Sequence, residues 1–352
     1  MEVTLNAKNH KYSIYIEQGC LTNAGSYAKK LTGEKVFLVT DSNVFPLYFE
    51  VVKASLEKAG LTVSHYVIPA GEPSKSLPML GILYEECVKN RITRTDLIIA
   101  LGGGVVGDLT GFLAATYLRG VNLMQIPTTF LAQIDSSVGG KTAIDLPSGK
   151  NLAGAFYQPK IVLIDPDVLS TLTDDIFRDG MAEAIKYGCI RDKELLTLLE
   201  NPKEHLTEII TRCVTIKKNV VEQDEFDTGE RMILNFGHTV GHAIEKMGNY
   251  TEYTHGQAVA IGMVCILKMG LSLGKICEEE ANAVIRLIEK SKLPLCVPYD
   301  GEQCLQSVSS DKKMTGSTLN AVFPKGLGNC TVEKWSVAEF NRLALQTQIF
   351  TN

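Results

Sequence analysis

The chain has 352 residues, 45% hydrophobic and 21% charged, with 35 basic against 40 acidic side chains and a formal net charge of −5. At roughly 100 to 200 residues per domain this predicts two domains with a cleft between them, and the composition excludes a fibrous, disordered or collagen-like chain. The near-balanced charge offers no footprint for nucleic acid and no polybasic membrane surface, so an anionic ligand must be caught locally.

Two short runs, Glu2 to Leu5 and Tyr12 to Ile16, read as an antiparallel hairpin at a sheet edge. Lys35 to Thr40 is a strand, Phe45 to Ala59 a helix, Leu61 to Ile68 a strand, Ser76 to Asn90 a helix and Asp96 to Leu101 a strand. A helix from Val105 to Leu118 and strands at Val121 to Ile126 and Ile161 to Asp165 follow. This alternation predicts an α/β domain on a parallel sheet. After Pro166 the apolar spacing turns helical, in Asp175 to Ile190, Lys193 to Leu199, Leu206 to Glu222, Arg231 to Met247, His255 to Leu273 and Glu278 to Glu289. A strand pair, Asn320 to Phe323 with Cys330 to Glu333, and a helix from Val337 to Leu345 close the chain. The expected fold class is therefore an α/β N-terminal domain, residues 1–168, plus a mainly α-helical C-terminal domain, residues 169–352.

Nine cysteines, an odd number without a C-x-x-C pair, read as reduced thiols of a cytoplasmic protein. The N-terminus has no basic stretch followed by an apolar run, so no signal peptide is expected. Leu97 to Leu118 is long enough to span a membrane and carries only Asp108 as a charge. Its Gly102-Gly103-Gly104 run breaks a helix at that point, so a strand, a glycine loop and a buried helix fit better than a span.

That loop, Gly102 to Asp108, follows a strand, opens a helix and matches G-x-G-x-x-G, the context in which a pyrophosphate approaches backbone N–H groups. It follows the third strand of the series rather than the first, and no acid lies about 20 residues on. Asp41, just past the first strand, is an alternative holder for a ribose hydroxyl. Tight packing of helix on sheet would use the same glycines.

Three of the six histidines, His238, His242 and His255, crowd into the helical domain. His238 and His242 are four apart and share a helix face. Thr239 replaces the glutamate of H-E-x-x-H, so the hydrolytic base of that motif is missing. Glu183 and Lys186 share one face of an otherwise apolar helix, where neither charge is buried without a partner. A glutamate with two histidines offers the three-ligand, open-position geometry of a catalytic zinc. Asp135, Lys141, Lys150 and Asn151 lie in or near a stretch rich in small residues that suits an oxyanion.

Taken together, Asp135 to Ala143, Glu183 with Lys186, and Arg231 to His242 resemble the 3-dehydroquinate synthase family, and the likeness runs from Asp41-Ser42-Asn43-Val44 through Gly71-Glu72 and Lys75 to Asp311-Lys312. The resemblance implies an N-terminal dinucleotide-binding domain that takes NAD, a C-terminal metal-binding domain with one zinc (cobalt being acceptable to the same ligands) and a homodimer. The implied reaction converts 3-deoxy-D-arabino-heptulosonate 7-phosphate, a small sugar phosphate, to 3-dehydroquinate and phosphate. It proceeds by transient oxidation, β-elimination of phosphate, re-reduction, ring opening and intramolecular aldol closure, with domain closure over the substrate.

By matching motif, Glu183, His238 and His255 are the implied metal ligands. His242, Lys141, Asn151 and Arg119 belong with the substrate phosphate; Arg231, Asn235, Lys186 and Lys217 with its carboxylate and hydroxyls; Asp135 with the metal-side hydroxyl; and Lys312 with closure over the site. On the cofactor side the resemblance points to Asp41, Asn43, Glu72, Lys75, Gly104, Asp108, Thr128, Thr129, Lys141, Lys150 and Thr171. Asp227 stands where the pattern has a glutamate and is left off the ligand list. The competing readings are another sugar phosphate cyclase such as 2-deoxy-scyllo-inosose synthase, a metal-dependent polyol dehydrogenase, which has no need of Lys141, Lys186, Lys217 and Arg231 together, and a non-catalytic binding protein, which could lose them.

Overall fold

The computed structural model of the chain describes residues 1–8, 10–306 and 318–351, so Lys312 lies outside the described residues. Packing sorts the chain into two units, Met1–Leu172 with Lys217–Phe226, and Thr173–Ile216 with Asp227–Asn352. This is not the single cut at 168/169 expected from the sequence. Residues 217–226 group with the first unit because their side chains bond there: Lys217 to Asp135, and Glu225 to His10 and Gln158.

The first unit is built on a seven-stranded sheet. Its strands are β1 (Glu2–Ala7), β2 (His10–Ile16), β3 (Lys35–Asp41), β4 (Thr62–Ile68), β5 (Leu97–Gly102), β6 (Asn122–Pro127) and β9 (Ile161–Ile164), in the order β1-β2-β9-β6-β5-β3-β4. Only β1 is antiparallel to its neighbour, so the edge hairpin stands as expected. Every residue of β5 is buried, as befits an unbroken apolar strand covered on both faces by crossover helices. Those helices include α2 (Phe45–Lys58), α3 (Leu77–Lys89) and α4 (Gly104–Thr116), with a short α1 (Ala24–Ala28) before β3.

From β3 the chain winds outward to β4, then crosses back to β5 and continues the other way through β6 to β9. The order therefore reverses between β3 and β5, where open α/β sheets bind ligands outside the carboxyl ends of their strands. Asp41 ends β3, and the Gly102-Gly103-Gly104 turn ends β5. A hairpin absent from the sequence reading, β7 (Lys141–Leu146) with β8 (Gly149–Phe156), lies apart from the main sheet. Its Ala- and Gly-rich strands carry little β propensity, and only the Pro147-Ser148-Gly149 turn signals it.

The second unit is mainly helical: α5 (Asp174–Ile190), α6 (Lys193–Leu198), the first part of α7 (Leu206–Gln223), α8 (His238–Met247), α9 (His255–Ser272), α10 (Glu278–Lys290), α11 (Gly301–Gln306) and α12 (Val337–Leu345), with one antiparallel pair, β10 (Thr318–Pro324) and β11 (Cys330–Ser336). The single helix expected over Arg231 to Met247 is broken. Glu230–Asn235 is a 3-10 turn, Gly237 has φ +79°, and α8 begins only at His238. Only glycine takes that left-handed backbone cheaply, and a Cβ there would also collide with the α9 backbone at Met263. Helix α9 is the only described helix long and apolar enough to cross a membrane, and 72% of it is buried inside the protein, packed by α5, α8, α10 and α12.

Candidate active site

Three helices of the second unit bring one polar residue each to a common point. Glu183 comes from the middle of α5, His238 is the first residue of α8, and His255 the first of α9. Glu183 Oε1 lies 3.3 Å from Nε2 of His238 and 3.3 Å from Nε2 of His255, and all three ligand atoms fall within 4.8 Å of one another. Glu183 is 1% exposed, yet neither carboxylate oxygen has a hydrogen bond of good geometry. The buried anion has the Lys186 ammonium on its Oε2 side and turns Oε1 to the two imidazoles, where a metal ion fits.

The imidazoles are oriented for one. His238 Nδ1 is 3.1 Å from the Phe236 carbonyl oxygen, which can only accept, so Nδ1 carries the proton and Nε2 keeps its lone pair toward Glu183. His255 Nδ1 faces Glu245 Oε2 at 3.5 Å, a carboxylate behind a metal-type histidine. His242, Glu245 and His255 form a second convergence of ligand atoms that shares His255 with the first. Burial alone would raise the Glu183 carboxyl, but Lys186 and His238 outweigh it and hold the group well below the usual carboxylate range. Burial lowers His238, against the pull of Glu183. Burial would lower His255 too, but Glu183 and Glu245 reverse the sign and hold it well above an ordinary imidazole.

Lys186 is 1% exposed and forms an ion pair with Glu183. The ring of His242 lies 5.5 Å from that of His238 and 6.3 Å from that of His255, centre to centre, beside the triad without being one of its members. Arg231 is buried and Asn235 half-buried on the 3-10 turn that leads into α8. Asp227 precedes that turn with φ +60°, a left-handed backbone in a non-glycine residue.

In the first unit the polar residues gather beside the glycine turn. Lys75, 4% exposed, donates to Asp108 Oδ2 at 2.6 Å and to Asn151 Oδ1, and stands 4.0 Å from Glu72, which Lys150 approaches to 3.8 Å. Burial raises the Asp108 and Glu72 carboxyls, with Lys75 opposing; burial would lower Lys75, but Asp108 and Glu72 more than compensate and raise it. The β7–β8 hairpin completes the group, since Asp145 N–H donates to the Lys75 carbonyl and Asn151 N–H to Asp145 Oδ1. At Gly103, the N-cap of α4, no side chain caps the helix and its first turn holds no acid, so its N–H groups suit a pyrophosphate. Thr128, just after β6, donates its N–H to the Gly102 carbonyl at 3.0 Å, and its buried Oγ1 has no hydrogen bond.

Other residues singled out from the sequence sit elsewhere in this unit. Asp41 Oδ1 accepts from the N–H groups of Asn43 and Val44, so that oxygen holds the turn into α2. Thr129 caps Ala132, and Thr171 meets the Tyr48 hydroxyl at 2.6 Å. Lys217 pairs with Asp135. Lys141 is exposed at the start of β7, and Arg119 is exposed on the turn after α4, with φ +64°. Glu245 and Asp145 are the residues the sequence reading missed. For Glu245, its i, i+3 spacing from His242 was the available signal; nothing local marks Asp145.

The chain is similar to known proteins over most of its length. The 3-dehydroquinate synthase N-terminal family matches residues 65–179 and the 3-dehydroquinate synthase C-terminal family residues 180–314. The 3-dehydroquinate synthase of Clostridium acetobutylicum is 48% identical over 333 residues, covering 92% of this chain and 94% of that one. Among solved structures, a 2-epi-5-epi-valiolone synthase from Streptomyces hygroscopicus with NAD+ and Zn2+ bound superposes with a TM-score of 0.88 at 26% identity, over 97% of this chain and 98% of that one. A 2-deoxy-scyllo-inosose synthase complexed with carbaglucose-6-phosphate, NAD+ and Co2+ gives 0.88 at 24% identity, over 98% and 100%, which speaks for the fold alone.

Proposed function

Since the chain belongs to the 3-dehydroquinate synthase family, we propose that it works with NAD in the first unit and one divalent metal, zinc or cobalt, in the second. Its activity is that of the family: it is a lyase of the shikimate pathway, converting 3-deoxy-D-arabino-heptulosonate 7-phosphate to 3-dehydroquinate and phosphate. The cyclases met among the solved structures are far less similar in sequence than the curated 3-dehydroquinate synthases.

The observation that carries the metal reading is the convergence of Glu183, His238 and His255 around a buried carboxylate, with His238 held in the right tautomer by the Phe236 carbonyl. Gly104, Asp108, Lys75, Glu72, Lys141 and Lys150 form the cofactor side, joined by Asp41, Asn43, Thr128, Thr129 and Thr171. When bound, NAD supplies a reversible hydride acceptor and the metal a Lewis acid toward neighbouring hydroxyl oxygens.

The chain's own residues do the rest. Lys141, Asn151, Arg119 and His242 bind the phosphate and stabilise its charge as it leaves. Arg231, Asn235, Lys186 and Lys217 orient the carboxylate and hydroxyls, and Lys186 holds the Glu183 carboxylate ionised. Asp135, paired with Lys217, belongs with the metal-side hydroxyl of the substrate. The working form is a cytoplasmic homodimer: the nine free cysteines support a reducing compartment, and the dimer is what the family resemblance implies.

The test is phosphate release from 3-deoxy-D-arabino-heptulosonate 7-phosphate by metal-stripped protein, with NAD and zinc added separately and together while NADH absorbance is followed. Release that needs both additions, with no NADH accumulating, is the expected result. Full release without either addition refutes the cofactor assignment.

A further inference from the structure

His255 opens α9 while Glu183 sits in the middle of α5, so their meeting depends on how the start of α9 is registered against α5. One turn before Glu183, on the same face of α5, Asp179 Oδ1 accepts a hydrogen bond from the backbone N–H of Gly256 at 2.6 Å. The approach requires glycine: a Cβ at position 256 would stand 2.6 Å from Asp179 Oδ1 and collide with the Asp179 backbone carbonyl. Helix α9 does not need this contact in order to start. Thr254 and Gln257 already form a reciprocal capping box, with Gln257 N–H to Thr254 Oγ1 at 3.3 Å and Thr254 N–H to Gln257 Oε1 at 3.0 Å. The Asp179 bond is additional, and it ties the residue next to His255 to the helix that carries Glu183. Glu245 engages the far side of the same imidazole at Nδ1.

We propose that Asp179 is a positioning residue of the metal centre: with Gly256 it fixes the register of α9 on α5 and thereby sets His255 Nε2 against Glu183 Oε1. Asp179 acts through the backbone of Gly256 and not by ligation. The inference rests on the metal reading above and goes beyond it by naming what holds the third ligand in place.

Co2+ titration of the metal-stripped full-length protein tests it, because the visible absorption of bound Co2+ reports coordination geometry independently of turnover. Wild type is expected to bind one Co2+. Asp179→Ala and Gly256→Ala should bind it about 10- to 100-fold more weakly, with shifted visible bands, while far-UV circular dichroism and melting show both folded. Asp179→Asn keeps an oxygen that accepts the Gly256 N–H and should restore most of the affinity and the spectrum. A folded Asp179→Ala with wild-type affinity and bands overturns the inference and leaves the metal reading intact; if that variant does not fold, a folded Gly256→Ala with wild-type binding does the same. Asp179→Asn as weak as Asp179→Ala overturns the positioning role by making charge the cause. A wild-type protein that binds no Co2+ overturns the metal reading and this inference with it.

Discussion

Lys217 and Asp135, 82 residues apart in the chain, are joined twice: Lys217 Nζ donates to the Asp135 backbone carbonyl at 2.6 Å and pairs with its carboxylate. The ammonium is 5% exposed and arrives from α7, while the acceptor stands on the turn that leads to β7. Removing Lys217 leaves the half-buried Asp135 carboxylate without its cation. Lys217→Met should therefore destabilise the protein by ~1–2 kcal/mol, read as a shifted urea midpoint, with Asp135→Asn in the same chain recovering part of the loss. An unchanged midpoint in the single variant would show that the pair does not hold this turn.

His238→Ala removes one of the three converging ligands. Bound metal should fall from one per chain to a small fraction of that, along with activity, as measured by plasma mass spectrometry after dialysis. An inactive variant that keeps a full equivalent of metal would refute the ligand assignment.

The metal-free His255 imidazole is held well above its ordinary range: burial would lower it, but Glu183 and Glu245 prevail. The proton and the metal compete for the same Nε2, so metal uptake near neutral pH must release a proton. Apparent zinc affinity should therefore rise with pH until that imidazole is neutral and then level off. Calorimetric titrations in two buffers of different ionisation heat measure the released protons; no buffer dependence would mean that His255 is already neutral or not a ligand.

Lys141, exposed at the start of β7, is assigned to the substrate phosphate. A lost hydrogen bond to a charged group costs about 10- to 100-fold in binding, so Lys141→Ala should raise KM for the sugar phosphate by that factor while NAD and metal still bind. Fluorescence titration of NAD and metal analysis supply the controls, and an unchanged KM would remove Lys141 from the phosphate site.

Of the nine thiols only Cys277 and Cys296 are exposed, and the other seven are buried. Burial pushes Cys20, Cys87, Cys265, Cys304 and Cys330 up to about 12 and Cys189 well above the ordinary thiol range. Thiolate is the reactive form. A disulfide reagent at pH 8 should therefore modify two thiols rapidly in the native protein and all nine after denaturation. Rapid reaction of four or more in the native state would contradict the packing described.

Much of this protein can be read along the chain. Strand and helix periodicity, the glycine run after β5 and the clustering of His238, His242 and His255 are local patterns, each a consequence of backbone geometry or side-chain chemistry over a few residues. The motif around Arg231 to His242 was legible as chemistry but not as shape: helical spacing continues across it, and only the left-handed backbone at Gly237, packed against Met263 of α9, breaks the helix there.

The β7–β8 hairpin and its Asp145 escaped because its strands are poor in β-branched residues and it is held by contacts with the Lys75 segment, distant in sequence. Glu245 and Asp179 escaped for a related reason. A carboxylate on a helix looks the same in sequence whether it faces water or engages an N–H group of a neighbouring helix. The sequence alone determined which residues have the donor type and charge that such chemistry needs, because these belong to the side chain itself. Tertiary packing decided which of them meet, because the Glu183, His238 and His255 ligand atoms come from three separate helices, and helix-on-helix register is set by the side chains and glycines at their crossing points.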